Sequence, residues 1–269
     1  MKYSNIYDMH THSDNSFDGN HSCVLICEGA VRAGAKGIAI TDHLDIDDKS
    51  YNVRHFVTNQ FVHTTRVKSA FRDTLEVFRG IELGQGIYRK ELSEQILKEM
   101  NYDFVLGAMH NLEDMQDFYF LEYDNETVDE LLMKYFEDVL KLAEWDKTDS
   151  IAHLTYPLRY ICGKYKMNID MAQFDEITDT IFETIIKNNK ALELNVSSIN
   201  KYHCDTMPNK KYIRRFKELG GKYVTVGSDA HFYDRVCENI DLGYDILKEC
   251  GFDSFTVFRK REPSLIPIE

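Results

Sequence analysis

The chain is poor in breaks. It holds only four prolines in 269 residues, and no Pro/Gly/Ser-rich linker or low-complexity run divides it. Nothing marks a boundary, so residues 1–269 read as one domain, long enough to bury a substantial core. Cysteine is sparse and scattered: Cys23, Cys27, Cys162, Cys204, Cys237 and Cys250 form no CxxC pair. That spacing signals neither a zinc ribbon nor a thioredoxin motif, and Cys23 and Cys27 read as packing or surface thiols. Charged residues interrupt every apolar run, and residues 1–8 lack the apolar core of a signal peptide. Neither a membrane span nor secretion is expected, which makes a cytoplasmic protein with reduced thiols the expectation. Basic charge is also short, with 32 Lys and Arg against 45 Asp and Glu for a net −13. Broad nucleic-acid binding is excluded on that ground, because it needs clustered cations facing phosphates. The basic cluster Lys210-Lys211-Tyr212 with Arg214-Arg215 reads as the exposed face of a helix. An acidic surface instead suits a cationic small substrate.

What the sequence does have is an alternation of short apolar segments with amphipathic ones. Strands are expected at 5–9, 37–41, 76–83, 103–109, 150–153, 191–196 and 222–226, each turn-bounded and apolar as in a sheet covered by helices. Ser22 is suited to cap a helix that buries Val24, Cys27, Ala30 and Val31 and ends at Gly34. Further apolar stripes run through Leu92, Ile96, Leu97 and Met100, through Leu131, Tyr135, Val139 and Leu142, and through Phe174, Ile177, Ile181 and Ile185. Pro208 fits the start of another helix, closed by Gly220-Gly221. Such alternation favours a parallel sheet with right-handed crossovers. Seven units predict an α/β fold, a distorted (β/α)7 TIM-like barrel, with a doubly wound open sheet as the alternative.

The chemistry lies in where the His, Asp and Glu residues fall. The expected strands end in Asp8-Met9-His10-Thr11-His12, Thr41-Asp42-His43, Gly80-Ile81-Glu82, Ala108-Met109-His110, His153, Glu193-Leu194-Asn195 and Ser228-Asp229-Ala230-His231. Every strand thus delivers a metal-competent or polar group to its C-terminal end, the end at which parallel barrels build active sites. Alternation lets Asp8, His10 and His12 share one face, and likewise Asp229 and His231. A lone strand-end histidine is ordinarily a satisfied structural residue. His10, His12, His43, His110, His153 and His231 together, joined by Glu and Asp, would be costly to bury unless metals satisfied them. Imidazole and carboxylate without thiolate suit Zn, Mn or Fe. At least eight ligand-type side chains are too many for one ion, so two or three are expected. Clustered ions clamp a phosphoryl group and lower the pKa of a bound water, the help that slow phosphate-ester hydrolysis requires.

The ordered set Asp8-Met9-His10-Thr11-His12-Ser13, Phe17-Asp18-Gly19, Thr41-Asp42-His43, Gly80-Ile81-Glu82, Gly107-Ala108-Met109-His110 and Ser228-Asp229-Ala230-His231 resembles the polymerase-and-histidinol-phosphatase (PHP) superfamily. The resemblance implies a barrel with three divalent metals at the C-terminal ends of its strands. Chain length, Gly80 to Gly84, His110-Asn111-Leu112 and the run from His153 to Tyr160 look like the family's L-histidinol-phosphate phosphatases. Carried over by position, the family pattern gives His10, His12, Glu82 and Asp229 to the first metal. Glu82 would bridge to the second, completed by His110 and His153, and His43, His231 and Asp18 would hold the third. Many relatives have histidine where this chain has Asp18. The implied reaction is hydrolysis of L-histidinol phosphate, in histidine biosynthesis, by a metal-bound hydroxide. Glu82, Asp229 and Arg159 are its expected catalytic residues, with Asp229 taking part in proton transfer. The implied partner is the small phosphate ester, with no nucleic acid and no membrane. Another PHP phosphoesterase substrate, or a non-catalytic metal-bearing module, is the rival reading.

Other residues are assigned around this set. Asp8 and Asp42 are expected to orient ligands. Arg159, with His231 and Asn195, is expected to meet the phosphate, and either Glu193 or Asn195 to face the cavity. Asp45, Asp47 and Glu113 are candidate acceptors for the ammonium and imidazole. Phe118, Tyr119 and Phe120 line either the mouth or the core, and His21, His55, His63 and His203 are expected to be solvated or packed.

Overall fold

A computed structural model describes residues 2–47 and 52–269. The expected alternation is realised as β1 (Tyr7–Thr11), α1 (Cys23–Ala33), β2 (Gly37–Ile40), β3 (His43–Asp45), α2 (Val53–Ala70), β4 (Glu76–Gly84), α3 (Lys90–Glu99), β5 (Phe104–Ala108), α4 (Val128–Glu144), β6 (Ser150–Ile151), α5 (Asp175–Lys187), β7 (Ala191–Asn195), α6 (Lys210–Glu218), β8 (Val224–Gly227), α7 (Ile240–Glu249), β9 (Ser254–Arg259) and β10 (Glu262–Pro267). Seven parallel strands run in the order β1-β2-β4-β5-β6-β7-β8, and β3 pairs beside the C-terminal half of β4. The first and last strands meet at their C-terminal ends. Thr11 bridges Ala230, the His12 amide donates to the Ala230 carbonyl at 2.9 Å, and the Asp229 amide donates to the His10 carbonyl at 2.8 Å. The sheet is therefore a nearly closed barrel, and the open-sheet alternative is set aside. No helix among the described residues is long and apolar enough to cross a membrane.

Closure is tight enough to dictate a residue. A Cβ on Gly227 would lie 2.4 Å from the His10 Cβ and 2.7 Å from the Glu193 Oε1, so only glycine fits where β8 passes two site residues. The helices follow the expected signals with one correction. Ser22 accepts from the Leu25 amide and Gly34 ends α1 in the left-handed region, as the sequence indicates. The buried face, however, is Cys23, Ile26, Cys27 and Ala30, while Val24 and Val31 are exposed. Cys27 and Ala30 are thus buried as expected, while Cys23 and Ile26 take the places given to Val24 and Val31.

Helices α2 and α7 are marked by no stripe or cap read from the sequence, and two smaller features also lie outside the expectations. One is β3, too short to show a period. The other is the hairpin β9–β10, which covers the N-terminal end of the barrel through charged contacts. Arg259 pairs with Glu76 at the start of β4, at 2.6 Å. The amides of Lys260 and Arg261 donate to Asp103, which precedes β5. Arg261 pairs with the buried Asp149, which precedes β6, and also donates to the Lys147 carbonyl at 2.7 Å. Phe258 stacks on Phe104, and Phe255 on Tyr244, beneath these pairs. Arg261→Ala would strand the Asp149 carboxylate under the barrel. A loss of about 2–3 kcal/mol is expected, read as a lower urea midpoint, with metal content unchanged because the cluster sits at the opposite end.

Candidate metal centre

The opposite end of the barrel gathers the charged residues. Glu82, fully buried, stands in β4 opposite His43 of β3, so the short extra strand brings the second motif to the third. Around its carboxylate lie five imidazoles, four of them within 3.3 Å: His43 Nδ1 at 2.7 Å, His153 Nε2 at 2.9 Å, His110 Nε2 at 3.2 Å and His10 Nε2 at 3.3 Å, with His12 Nε2 at 3.7 Å. Asp229 faces His12 Nε2 at 3.2 Å. Asp18 reaches His231 Nε2 at 3.1 Å and His43 Nε2 at 3.7 Å. All nine expected ligand positions are thus brought together. Three groups have donor atoms close enough to share an ion: His10-His12-Glu82, His43-Glu82-His110 and His12-His43-His231. His12, His43 and Glu82 each belong to two groups, so these three side chains link the candidate positions.

The donor atoms fit metal ions better than they fit one another. His10 Nε2, His12 Nε2, His43 Nδ1, His231 Nε2 and Glu82 Oε2 are buried without a hydrogen-bond partner, although several lie within ion-pairing distance. Protein interiors rarely leave so many polar atoms unsatisfied, and a cation would engage all of them. Burial would push the Glu82 carboxyl up, yet His10, His43 and His110 hold it well below the usual carboxylate range. Asp229 is likewise held low against burial by His10, His12 and His231. Burial also opposes ionisation of Asp18, but His231 and His43 bring it down to about 2. The three carboxylates are therefore ionised and able to ligate at any physiological pH.

Behind these donors, side chains fix the rings. Glu193 accepts from His10 Nδ1 at 2.6 Å and from the His153 amide at 2.7 Å, which turns His10 Nε2 toward Glu82. Asp45 engages His110 Nδ1 at 2.9 Å. Asp42 accepts from Ser16, whose hydroxyl lies 3.1 Å from His12 Nδ1, so this aspartate acts on its ligand through a serine. Asp8 touches no imidazole. It accepts from the Ser228 and Cys237 amides and the Ser228 hydroxyl, and so anchors the loop that carries Asp229. The expected shared face of Asp8, His10 and His12 is corrected in this respect, because the β1–β2 register slips between Asp8 and Thr11. His153 (φ 21°) and Asp229 (φ 52°) occupy the left-handed region that favours glycine. Each such placement costs about 1–3 kcal/mol and is typical of positions held for chemistry.

A cavity of about 620 Å³ opens over this cluster, and Asp18, His43, Glu82, His110, His153, Asp229 and His231 are in its lining. Arg159 lines it too, on the turn after β6, its guanidinium 5.9 Å from the Tyr160 ring and its Nε buried without a partner. Asn195 does not line the cavity, which corrects its expected phosphate contact. It is fully buried, and its amide faces Glu193 at 3.3 Å and Asp229 at 3.4 Å. Asp45 lines the cavity but engages His110, Asp47 accepts from Asn111, and Glu113 faces a separate groove. Tyr119 and Phe120 reach the mouth, whereas Phe118 is core. His55 and His63 are exposed on α2, and His21 and His203 are half-buried, all outside the cluster. Sequence reasoning missed the supporting roles of Glu193, Asp45 and Ser16. Only the strand-end position of Glu193 offered a signal for one of them.

The fold and this cluster define a metal-binding barrel, using divalent ions at the C-terminal ends of its strands. The PHP domain model matches residues 8–197, and the chain belongs to that family. It is similar to a probable histidinol-phosphatase of Clostridium acetobutylicum, with 27% identity over 95% of this chain and 98% of the relative. A probable histidinol-phosphatase of Thermotoga maritima is 28% identical over 94% of this chain and 96% of the relative. Among solved structures, the histidinol phosphate phosphatase of Lactococcus lactis, complexed with zinc, L-histidinol and phosphate, superposes with a TM-score of 0.83 at 25% identity. The alignment covers 96% of this chain and 98% of that one.

Glu193→Gln tests whether the hydrogen bond to His10 matters. The amide can present only one oxygen where the carboxylate presents two, so either His10 or the His153 amide loses its acceptor. About a ten- to hundredfold loss of metal affinity is expected, measured by competition with a chelator, with secondary structure intact.

Proposed function

We propose that this protein is a phosphomonoesterase that hydrolyses L-histidinol phosphate to L-histidinol and phosphate. The observation that carries this reading is the buried imidazole–carboxylate cluster beside an unpaired Arg159 in one small cavity. It occurs in a chain that matches histidinol-phosphatases over nearly their whole length. We take the ions to be three, of the Zn, Mn or Fe type, held by His10, His12, Glu82 and Asp229, by Glu82, His110 and His153, and by His43, His231 and Asp18. Bound there, they would neutralise phosphoryl charge and lower the pKa of a coordinated water.

The chain's own side chains do the rest. Arg159 presents a planar fork of donors to the non-bridging phosphoryl oxygens, in a cavity where partial desolvation strengthens the contact. Asp229 faces the cavity with its carboxylate backed by the Asn195 amide and accepts the proton of the attacking water. Glu193, Asp45 and Ser16 hold imidazole orientations, so little reorganisation is needed as charge develops on phosphorus.

Two measurements test this. As-purified enzyme should contain close to three equivalents of transition metal and should favour L-histidinol phosphate over p-nitrophenyl phosphate and nucleotides in kcat/KM. Equal efficiency across that panel would remove the substrate assignment, and activity with one equivalent or fewer would remove the three-ion set. Arg159→Ala should lower kcat/KM about ten- to a thousandfold and weaken inhibition by inorganic phosphate, with metal content unchanged. Arg159→Lys should restore only part of the loss, since an ammonium cannot make the bidentate contact.

A further inference from the structure

The cavity lining contains six carboxylates, and five of them are spoken for. Asp18 meets His231 and His43, Asp45 meets His110, Glu82 meets five imidazoles, Asp229 meets His12, and Glu238 pairs with Arg235 at 2.6 Å. Asp117 is the exception. Among the described residues no lysine, arginine or histidine lies within ion-pairing distance of it.

Its carboxylate is nevertheless rigidly held. The Tyr119 amide donates to Oδ1 at 2.6 Å, and the Tyr156 hydroxyl donates at 3.1 Å. Tyr156 in turn receives the Tyr160 hydroxyl at 3.0 Å and packs its ring 5.2 Å from His110 and 5.0 Å from His153. The same tyrosine therefore ties Asp117 to two expected metal ligands and fixes its distance from the phosphoryl position.

The other lining charges without a carboxylate in reach are positive: Arg159 and Lys201. A phosphoryl dianion answers those two and leaves the Asp117 charge unmet. Two and three residues beyond Asp117 come Tyr119 and Phe120, 51% and 66% exposed at the mouth. Large aromatic side chains left open at a cavity are characteristic of binding surfaces; Lys164 already lies over the Tyr119 ring at 5.3 Å, so Phe120 is the more open of the two walls.

We propose that Asp117 binds the positive charge of the leaving group, so that the cavity selects phosphate esters whose alcohol carries an ammonium or imidazolium. This rests on the phosphatase reading above and adds to it a residue that sets specificity. The carboxylate is an acceptor held in place before the substrate arrives, and the neighbouring aromatics give the organic cation an apolar wall.

Asp117→Asn tests it, because asparagine keeps an oxygen for the Tyr119 amide and removes only the charge. Metal-loaded wild type and variant are compared on L-histidinol phosphate and on p-nitrophenyl phosphate, which has no cation. The preference for the first ester, as a ratio of kcat/KM values, should fall about ten- to a hundredfold, chiefly through KM. Inhibition by L-histidinol should weaken in parallel, while inhibition by inorganic phosphate should not. An equal loss on both esters would make Asp117 a structural residue, and an unchanged preference would mean that it meets no cation; either overturns the proposal. The wild-type arm keeps the two readings apart. A wild type with no preference for L-histidinol phosphate fails the substrate assignment and removes this inference with it, while hydrolysis of both esters leaves the phosphatase reading standing.

Discussion

A carboxylate with no exposed surface has to find positive charge inside the protein, and Glu82 finds it in four imidazoles within 3.3 Å. Those rings arrive from β1, from β3, and from the ends of β5 and β6, so satisfying one residue requires several strands to finish at one height. The short strand β3 exists in this setting: its pairing with β4 sets His43 directly opposite Glu82. Desolvation penalises the charged form of Glu82, and the surrounding imidazoles reverse that penalty only while the barrel is closed. Fold and site are thus two descriptions of one electrostatic requirement.

Most of the barrel was legible in the residues. All seven parallel strands fall where short apolar runs with turn boundaries predict them, because a strand covered on both faces needs apolar residues throughout. Eight of the nine clustered ligand candidates were legible as well, since His, Asp and Glu at consecutive strand ends have few structural explanations; Asp18, in the loop after β1, came from the family resemblance alone. The whole face of α1 was not: Cys27 and Ala30 were placed rightly, but Cys23 and Ile26 were passed over for Val24 and Val31, which are exposed. The hairpin β9–β10 also escaped prediction. Its hold on the barrel depends on Arg259 and Arg261 meeting Glu76 and Asp149 across more than a hundred positions of sequence, and no local period records such pairing.

The supporting residues around the site were hidden for a related reason. Glu193 and Asn195 sit two apart on β7 and point the same way, so alternation alone could not say which faces the cavity. The structure answers with neither: Glu193 sits against His10 and His153, and Asn195 behind Asp229. Asp8 and Asp42 both precede histidines yet find different partners: Asp8 anchors the Ser228 and Cys237 amides, whereas Asp42 holds Ser13 and reaches His12 through Ser16. Which partner a buried carboxylate finds depends on neighbouring strands, and that information is distributed over the whole barrel.

The left-handed backbone at His153 and Asp229 bears on how this protein can change over generations. Both positions favour glycine sterically, so the residues that hold ions there also oppose the chain's own conformational preference. A lineage released from catalysis but still selected for heat resistance would gain by giving up these two side chains early. Loss of function would then begin at the metal centre and leave the scaffold intact.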